Sequence, residues 1–94
     1  MRVRWTRRSL RALDVIAEYI ARDRPQAARR MVERIREAVT LLSSQPELGR
    51  SGRVPQTREL IVAGTPFIVP YRVRRGVVEI LTVLHAARTW PDQF

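Results

Sequence analysis

Three strand-like runs separated by short turns, in the C-terminal part of the chain, constrain the fold most. The runs cover about residues 57–62, 67–73 and 77–85, and the turns between them contain Gly64 and Gly76. β-Branched and aromatic residues fill the runs, and glycine is typical of the turns. Consecutive strands joined by short turns pair with one another. The sequence therefore predicts a small, mainly antiparallel sheet with the usual twist.

The two-residue period of a strand divides the middle run into two faces. One face carries Phe67, Val69, Tyr71 and Val73, and the other carries Ile68, Pro70 and Arg72. Pro70 has no N–H to donate, which predicts either a bulge at this point or an open sheet edge nearby. The last run is apolar on both faces, so we expect it to be a central strand.

A short strand and two amphipathic helices are predicted before these runs. Residues 2–5 alternate polar and apolar side chains, as a half-buried strand does. Apolar residues recur every three or four positions over residues 10–20 and again over 28–42, which predicts two helices. Residues 46–56 contain two prolines and two glycines and are predicted to form an ordered loop. The order β-α-α-β-β-β predicts one α+β domain over residues 1–94, with a helical hairpin packed on the sheet.

The ends of the two helices also have recognisable signals. Thr6 is a suitable N-cap for the first helix. Pro25 ends that helix, since the residue before a proline avoids the α conformation, and it suits the first position of the second helix. Asp23 and Gln26 have the spacing of a capping box, although Arg24 fits the cap position nearly as well.

The charge composition predicts a polyanionic partner. All 18 cationic side chains among the 94 residues are arginine, and the formal net charge is +9. The guanidinium group offers a planar fork of donors to carboxylate and phosphate groups. A surface this positive is expected to bind nucleic acid, an acidic protein segment, or both.

Composition also excludes several kinds of protein. The chain has no cysteine, so disulfides and thiolate metal sites are excluded, and a reducing cytoplasm is expected. No apolar run approaches the roughly 18 residues of a membrane-spanning helix, and the N-terminus lacks the apolar region of a signal peptide. Phosphate-binding loops, dinucleotide-binding glycine patterns and zinc-protease motifs are absent. We therefore predict no cofactor, no metal and no membrane association.

The polar residues of the predicted meander are the first candidates for function. Arg58, Arg72, His85 and Arg88 would form an anion site if they shared one concave face, because guanidinium groups hold phosphate and imidazole transfers a proton near neutral pH. The alternative is that the arginines are solvated or cap a strand end, and that His85 hydrogen-bonds a loop carbonyl.

Two further side chains in this region have competing interpretations. Glu59 is either a general base or, as we expect, the partner of Arg58 in a surface ion pair. Trp90, which precedes Pro91, either stacks on a base or a partner protein, or attaches the C-terminus to the core. The second interpretation is favoured, since an indole is largely apolar.

Several segments, taken in order, resemble toxins of the RelE/ParE superfamily from bacterial toxin–antitoxin pairs. The matching segments are residues 14–35 (DVIAEYIARDRPQAARRMVERI), 49–50 (GR), 57–60 (TREL), 66–69 (PFIV), 71–73 (YRV) and 83–88 (VLHAAR). Members of this superfamily have two different activities. RelE-like members cut mRNA on the ribosome, whereas ParE-like members poison DNA gyrase.

Departures from the nuclease pattern favour the ParE-like activity. The nucleases resembled here have an arginine near the middle of the third strand, where this chain has Ile68, and a further arginine or tyrosine where Ala86 and Ala87 follow His85. Loss of a central arginine would remove electrostatic stabilisation of the phosphorane. The resemblance thus implies a gyrase inhibitor that is not an enzyme. In the nuclease alternative, His85 is the acid or base, and the three arginines at 58, 72 and 88 hold phosphate.

The resemblance also implies the partners, and the contact residues named for them are our own hypotheses. An acidic antitoxin that folds on binding is expected to contact Arg7, Arg11, Arg50 and Arg53. The target, gyrase or alternatively the ribosome with its mRNA, is expected to contact Arg58, Arg72, His85, Arg88 and Trp90. A third class, a non-toxic nucleic-acid-binding module, would need aromatic residues interleaved with arginine on an exposed sheet face.

Overall fold

Two antiparallel helices cover one face of a six-stranded sheet in the computed structural model, which describes residues 1–88 and 90–94. The elements in chain order are β1 (Arg2–Trp5), α1 (Arg7–Ala21), α2 (Pro25–Thr40), a 3₁₀ turn (Leu41–Ser43), β2 (Arg50–Ser51), β3 (Arg58–Ile61), β4 (Phe67–Arg74), β5 (Val77–Ile80) and β6 (Leu84–His85). The predicted α+β class is confirmed. In the described part of the chain, no helix is long and apolar enough to span a membrane.

The strand order is β1-β5-β4-β3-β2, and β6 pairs with β4 beyond the end of β5. β1 runs parallel to β5, and the other pairs are antiparallel. The mainly antiparallel sheet and the central position of β5 were both predicted. β2 was not predicted: residues 50–51, assigned to a loop, form a two-residue strand that pairs with β3. Such a short strand leaves too little alternation for a sequence pattern to detect.

A β-bulge interrupts the last predicted strand opposite Pro70. Residues 68–71 of β4 face residues 80–84, so the second segment contains one extra residue. The Leu81 N–H donates to the Pro70 carbonyl at 2.9 Å, whereas Pro70 has no N–H to return. Of the two alternatives predicted at Pro70, a bulge is present, but its extra residue lies in the facing segment 80–84 and not in β4. The single strand predicted over 77–85 is wrong, because the missing donor breaks the ladder into β5 and β6.

Both helices begin where predicted, and of the two caps considered for α2 the structure has Arg24. Thr6 caps α1, its hydroxyl accepting from the Ser9 N–H at 3.2 Å. At α2, Pro25 is the first residue, but the N-cap is Arg24, which makes no side-chain capping bond. Asp23 still belongs to the turn that ends α1, with its N–H donating to the Ile20 carbonyl at 3.3 Å, so the predicted capping box does not form.

The hydrophobic core lies between the helices and the sheet face that they cover. Its buried side chains are Leu13, Ile35, Val39, Leu42, Leu60, Val62, Phe67, Val69, Tyr71, Val78, Ile80 and Val83. Removing these apolar side chains from water is the main stabilising contribution to such a fold.

Tyr71 connects this core to the connection before β2. Its side chain is fully buried, and its hydroxyl donates to the Pro46 carbonyl at 2.7 Å and accepts from the Gly49 N–H at 2.8 Å. A Cβ on Gly49 would lie 2.6 Å from Tyr71 Cε1, so this close approach requires glycine. The Tyr71 hydroxyl therefore fixes residues 46–49 against the sheet, and β2 follows from there.

Candidate functional site

Charged side chains concentrate on the sheet face that the helices do not cover, which we call the open face. Residues paired in register point to the same side of a sheet, and alternate residues of a strand point to opposite sides. The open face therefore carries Arg2, Arg4, Arg50, Glu59, Ile61, Ile68, Pro70, Arg72, Arg74, Val77 and Glu79. The five arginines in this list all belong to strands, and together they give this face a positive potential that favours anions.

Glu59, on β3, is buried on the open face and is held by two arginines. One carboxylate oxygen accepts from Arg50 Nη2 at 2.9 Å and Nε at 3.1 Å. The other accepts from the backbone N–H of Arg53 at 2.8 Å, with the Arg53 guanidinium 3.5 Å away. Burial acts to raise the pKa of Glu59, but the Arg53 and Arg50 hydrogen bonds outweigh burial and leave it below its usual value.

This arrangement overturns the predicted ion pair between Glu59 and Arg58. The two residues are adjacent on β3, so their side chains point to opposite sides of the sheet. Arg58 pairs in register with Tyr71 and lies on the helix side, where its guanidinium donates to the Gly49 carbonyl at 2.9 Å. Arg50 and Arg53 therefore keep Glu59 in its ionised form. Both of its carboxylate oxygens already accept hydrogen bonds, which argues against a role as general base.

Glu79, on β5, is the second buried carboxylate of the open face. Arg72 on β4 donates to it from Nε at 2.8 Å, and Arg4 on β1 contacts its other carboxylate oxygen. Hydrogen bonds from Arg72 and Arg4 lower the pKa of Glu79 despite its burial. Three neighbouring strands are thus joined by one charged row.

Trp90 is attached to the open face through Arg53. The Arg53 guanidinium carbon lies 3.8 Å from the centre of the indole ring, a close cation–π contact. Because Arg53 also binds Glu59, the C-terminal segment, β3 and the connection before it meet in one cluster. Of the two interpretations of Trp90, attachment to the rest of the domain has this direct contact in its favour.

The candidate nuclease residues do not share one face. His85 pairs with Phe67 at the end of β4 and makes an edge-to-face contact with its ring at 5.6 Å. Arg72 is five residues further along β4 on the opposite face, and a rise of about 3.3 Å per residue puts the two positions about 16 Å apart. Arg58 pairs with Tyr71, which is four residues from Phe67 along β4, and its guanidinium donates to the Gly49 carbonyl. The sheet therefore separates His85 from Arg72, and Arg58, on the same side as His85, is about 13 Å away along the strands.

His85 is instead close to Arg88. The Arg88 N–H donates to the His85 carbonyl at 3.0 Å, and the Arg88 side chain is exposed. Nδ1 of His85 accepts from the Ala87 N–H at 3.1 Å, so the predicted bond from the imidazole to a loop carbonyl is replaced by one from a backbone donor. Of the three arginines expected to share an anion site with His85, only Arg88 is near it, through a backbone hydrogen bond.

The four arginines predicted to bind the antitoxin fall into two groups. Arg7 and Arg11 are exposed and lie one turn apart on α1. Arg50 and Arg53 hold Glu59, yet half of each side chain is exposed. Both pairs therefore present guanidinium surface to solvent on separate elements.

Arginines from two distant parts of the chain line a hollow on the open face. Its volume is about 310 Å³, and Arg2, Arg4, Arg74, Arg75, Val77 and Glu79 line it. Arg2 and Arg4 lie on β1 near the N-terminus, whereas Arg74 ends β4 and Arg75 lies in the turn that follows it. The signal that joins them is the parallel pairing of β1 with β5, which local patterns do not reveal. Within residues 1–88 and 90–94, no cluster of acidic, histidine or cysteine side chains could hold a metal ion.

The chain is similar to toxins and to toxin–antitoxin structures over nearly its whole length. Residues 3–90 match the family described as the ParE toxin of the type II toxin-antitoxin system, parDE. The chain is 54% identical to Y4kP of Sinorhizobium fredii over 91 residues, covering 97% of this chain and 94% of that protein. It is 40% identical to toxin RelE2 of Caulobacter vibrioides over 84 residues, covering 89% and 93%.

A solved structure agrees with these sequence matches. The structure described as a chromosomal ParDE TA system from P. aeruginosa superposes with a TM-score of 0.83 at 31% identity. The match covers 90% of this chain and 95% of that chain.

Proposed function

Since this chain belongs to the ParE toxin family of type II toxin–antitoxin systems, we propose that it arrests bacterial growth by poisoning DNA gyrase in the cytoplasm. The family match over residues 3–90 carries the proposal. In this function the chain is an inhibitor rather than an enzyme. It stabilises the state in which gyrase has cleaved DNA, and replication stops there.

The geometry of the nuclease candidates supports an inhibitor over an endoribonuclease. RNA cleavage requires an acid or base and several cations around one phosphate, held within hydrogen-bonding reach. His85 and Arg72 occupy opposite faces of the sheet, and Ile68 is buried where the nucleases resembled here have an arginine. The C-terminal segment, with His85, Arg88 and Trp90, is our proposed contact with gyrase.

We further propose that an acidic antitoxin neutralises the toxin. Arg7 and Arg11 offer exposed guanidinium groups on α1, and Arg50 and Arg53 offer half-exposed ones at β2. A disordered acidic segment folding over both sites would match carboxylates with arginines and gain speed from the +9 charge. Association should therefore slow markedly as salt concentration rises.

A gyrase cleavage assay tests the proposal. Purified protein is incubated with gyrase, ATP and relaxed plasmid, and linear DNA is measured after denaturation. We expect linear DNA to accumulate with the wild type and to decrease at least tenfold with Arg88→Ala. Arg29→Ala, which removes an exposed arginine from α2, is the matched control and should act like wild type.

The same preparation separates the competing functions. Growth arrest without gyrase-linked DNA cleavage, together with cutting of ribosome-bound mRNA, would replace the proposal with the nuclease. Absence of growth arrest from a folded chain would leave a non-toxic binding module instead.

A further inference from the structure

Two rows of paired residues cross the open face at its β1 edge with the same geometry. Arg4 on β1 and Arg72 on β4 both pair with Glu79 of β5. Two residues earlier on β5, Arg2 and Arg74 both pair with Val77. In each row the arginine positions are about 9.6 Å apart, and the rows are separated by about 6.6 Å. The first row has a carboxylate between its arginines, and the second row has none.

The second row is therefore a set of cations without an internal anion. Arg4 and Arg72 are neutralised in part by Glu79. Arg2, Arg74 and the adjacent Arg75 form no salt bridge with any residue that the structure describes. All three line the hollow of about 310 Å³ together with Arg4 and Glu79, so three arginines without a salt-bridge partner among the described residues surround one concave space. Their mutual repulsion would be relieved by an anion from outside.

The backbone at Arg75 adds an independent reason to assign a function to this hollow. Arg75 and Gly76 form the two-residue turn between β4 and β5, with φ values of 52° and 76°. This turn type favours asparagine, aspartate or glycine at its first position, because other residues are strained at positive φ. An arginine at a strained backbone position is consistent with a functional role for its side chain.

We propose that Arg2, Arg74 and Arg75 form a binding site for the phosphodiester backbone of a nucleic acid. Two arginines are enough to bind the single carboxylate of Glu79. The hollow has three further arginines that form no salt bridge with the described residues. The tetrahedral oxygens of a phosphate accept hydrogen bonds from more directions than a planar carboxylate does. β1 is an edge strand, and Arg2, Arg74 and Arg75 are all exposed, so a long nucleic acid can reach them.

Binding of labelled nucleic acid to the isolated protein, without gyrase or antitoxin, tests this site independently of the proposed function. Fluorescence anisotropy with a 20-base-pair duplex DNA and with a single-stranded RNA of 20 nucleotides distinguishes the two sources of phosphodiester. Each lost phosphate contact should reduce the slope of log K against log salt by about one. We expect Arg74→Gln with Arg75→Gln to reduce the slope by about two. Arg29→Gln with Arg36→Gln, two exposed arginines of α2, should leave it nearly unchanged.

Two further variants distinguish a binding site from a structural effect. Val77→Glu places a carboxylate between Arg2 and Arg74, reproducing the row at Glu79, and should weaken binding at least tenfold with all arginines intact. Val15→Glu on α1 adds the same charge elsewhere as its control. Arg75→Asn should weaken binding several-fold while raising the urea midpoint, because asparagine suits the turn.

Three results would overturn the proposal. Equal losses in the α2 and hairpin double variants would mean that charge alone drives binding. Unchanged nucleic-acid binding in Val77→Glu would mean that the hollow is not the site. Loss of binding to an acidic peptide in Val77→Glu, with nucleic-acid binding retained, would assign the hollow to a protein partner.

Discussion

Glu59 and Glu79 are both buried on the open face and both held by two arginines, but they are attached to different parts of the chain. The arginines of Glu59 are Arg50, on the two-residue strand β2, and Arg53, in the irregular connection that follows β2, and Arg53 also stacks on Trp90. The arginines of Glu79 come from β1 and β4, whose positions are already set by backbone pairing. One carboxylate fixes irregular segments, and the other neutralises part of a row of cations.

This difference bears on both proposals. The Glu59 cluster connects Arg50 and Arg53, two of the arginines proposed to contact the antitoxin, to Trp90, which is proposed to contact gyrase. We therefore expect the cluster to hold these parts of the chain in place. At Glu79 the regular strands need no such support, and the adjacent row of Arg2 and Arg74 is free to accept an external anion. Substitutions at the two carboxylates therefore distinguish a structural carboxylate from one that belongs to a binding surface.

The largest difference is expected from removing each carboxylate. Glu59→Ala leaves the Arg53 N–H and two guanidinium groups without their acceptor and should reduce the free energy of unfolding by about 3 kcal/mol. Glu79→Ala leaves arginines on regular strands that are partly solvated, so about 1 kcal/mol is expected. Urea unfolding followed by circular dichroism measures both. Equal losses would show that the Glu59 cluster does not fix the irregular segments.

A steric change at the same connection should have a somewhat smaller effect. Gly49→Ala places a methyl group 2.6 Å from Tyr71 Cε1, and the fully buried ring has no room to move. We expect a loss of about 2 kcal/mol, as for overpacking of a core. Gly76→Ala is the control: nothing lies near its Cβ, and the cost of about 1 kcal/mol comes from its φ of +76°. A larger loss at Gly76 would contradict this account of the Tyr71 contact.

The dependence of stability on pH tests the contribution of the Glu59 and Glu79 ion pairs. Arginine hydrogen bonds hold the pKa values of Glu59 and Glu79 below their usual range, so each group contributes stability that is complete above the ordinary glutamate pKa. This contribution is lost as pH falls from about 4.3 through the lowered pKa values. Unfolding midpoints measured from pH 7 to pH 3 should fall, and Glu59→Gln or Glu79→Gln should flatten the profile. A profile unchanged in both variants would mean that other groups determine acid sensitivity.

Elements with a local pattern were predictable, and contacts between distant segments were not. The helices, the Thr6 cap and the bulge at Pro70 follow from periodicity, a side-chain oxygen and a missing N–H, each of which a short stretch of sequence contains. The partners of Glu59 and the separation of His85 from Arg72 depend on the register of β3 and β6 against β4. Register is decided by core packing and by the bulge, so sequence neighbours such as Arg58 gave the wrong partner.

The smallest expected effect is the coupling between Arg53 and Trp90, and it decides whether the C-terminal segment belongs to the Glu59 cluster. The guanidinium lies 3.8 Å from the indole centre but is half exposed, so a double-mutant cycle of Arg53→Ala and Trp90→Ala should give about 0.5–1 kcal/mol. Arg50 also binds Glu59, and the cation–π contact of Trp90 is with Arg53, so a cycle of Arg50→Ala and Trp90→Ala should give nearly zero. Equal coupling energies in both cycles would mean that Trp90 responds to the net charge of the Glu59 cluster and not to the contact with Arg53. No coupling in either cycle would mean that the C-terminal segment does not belong to the cluster.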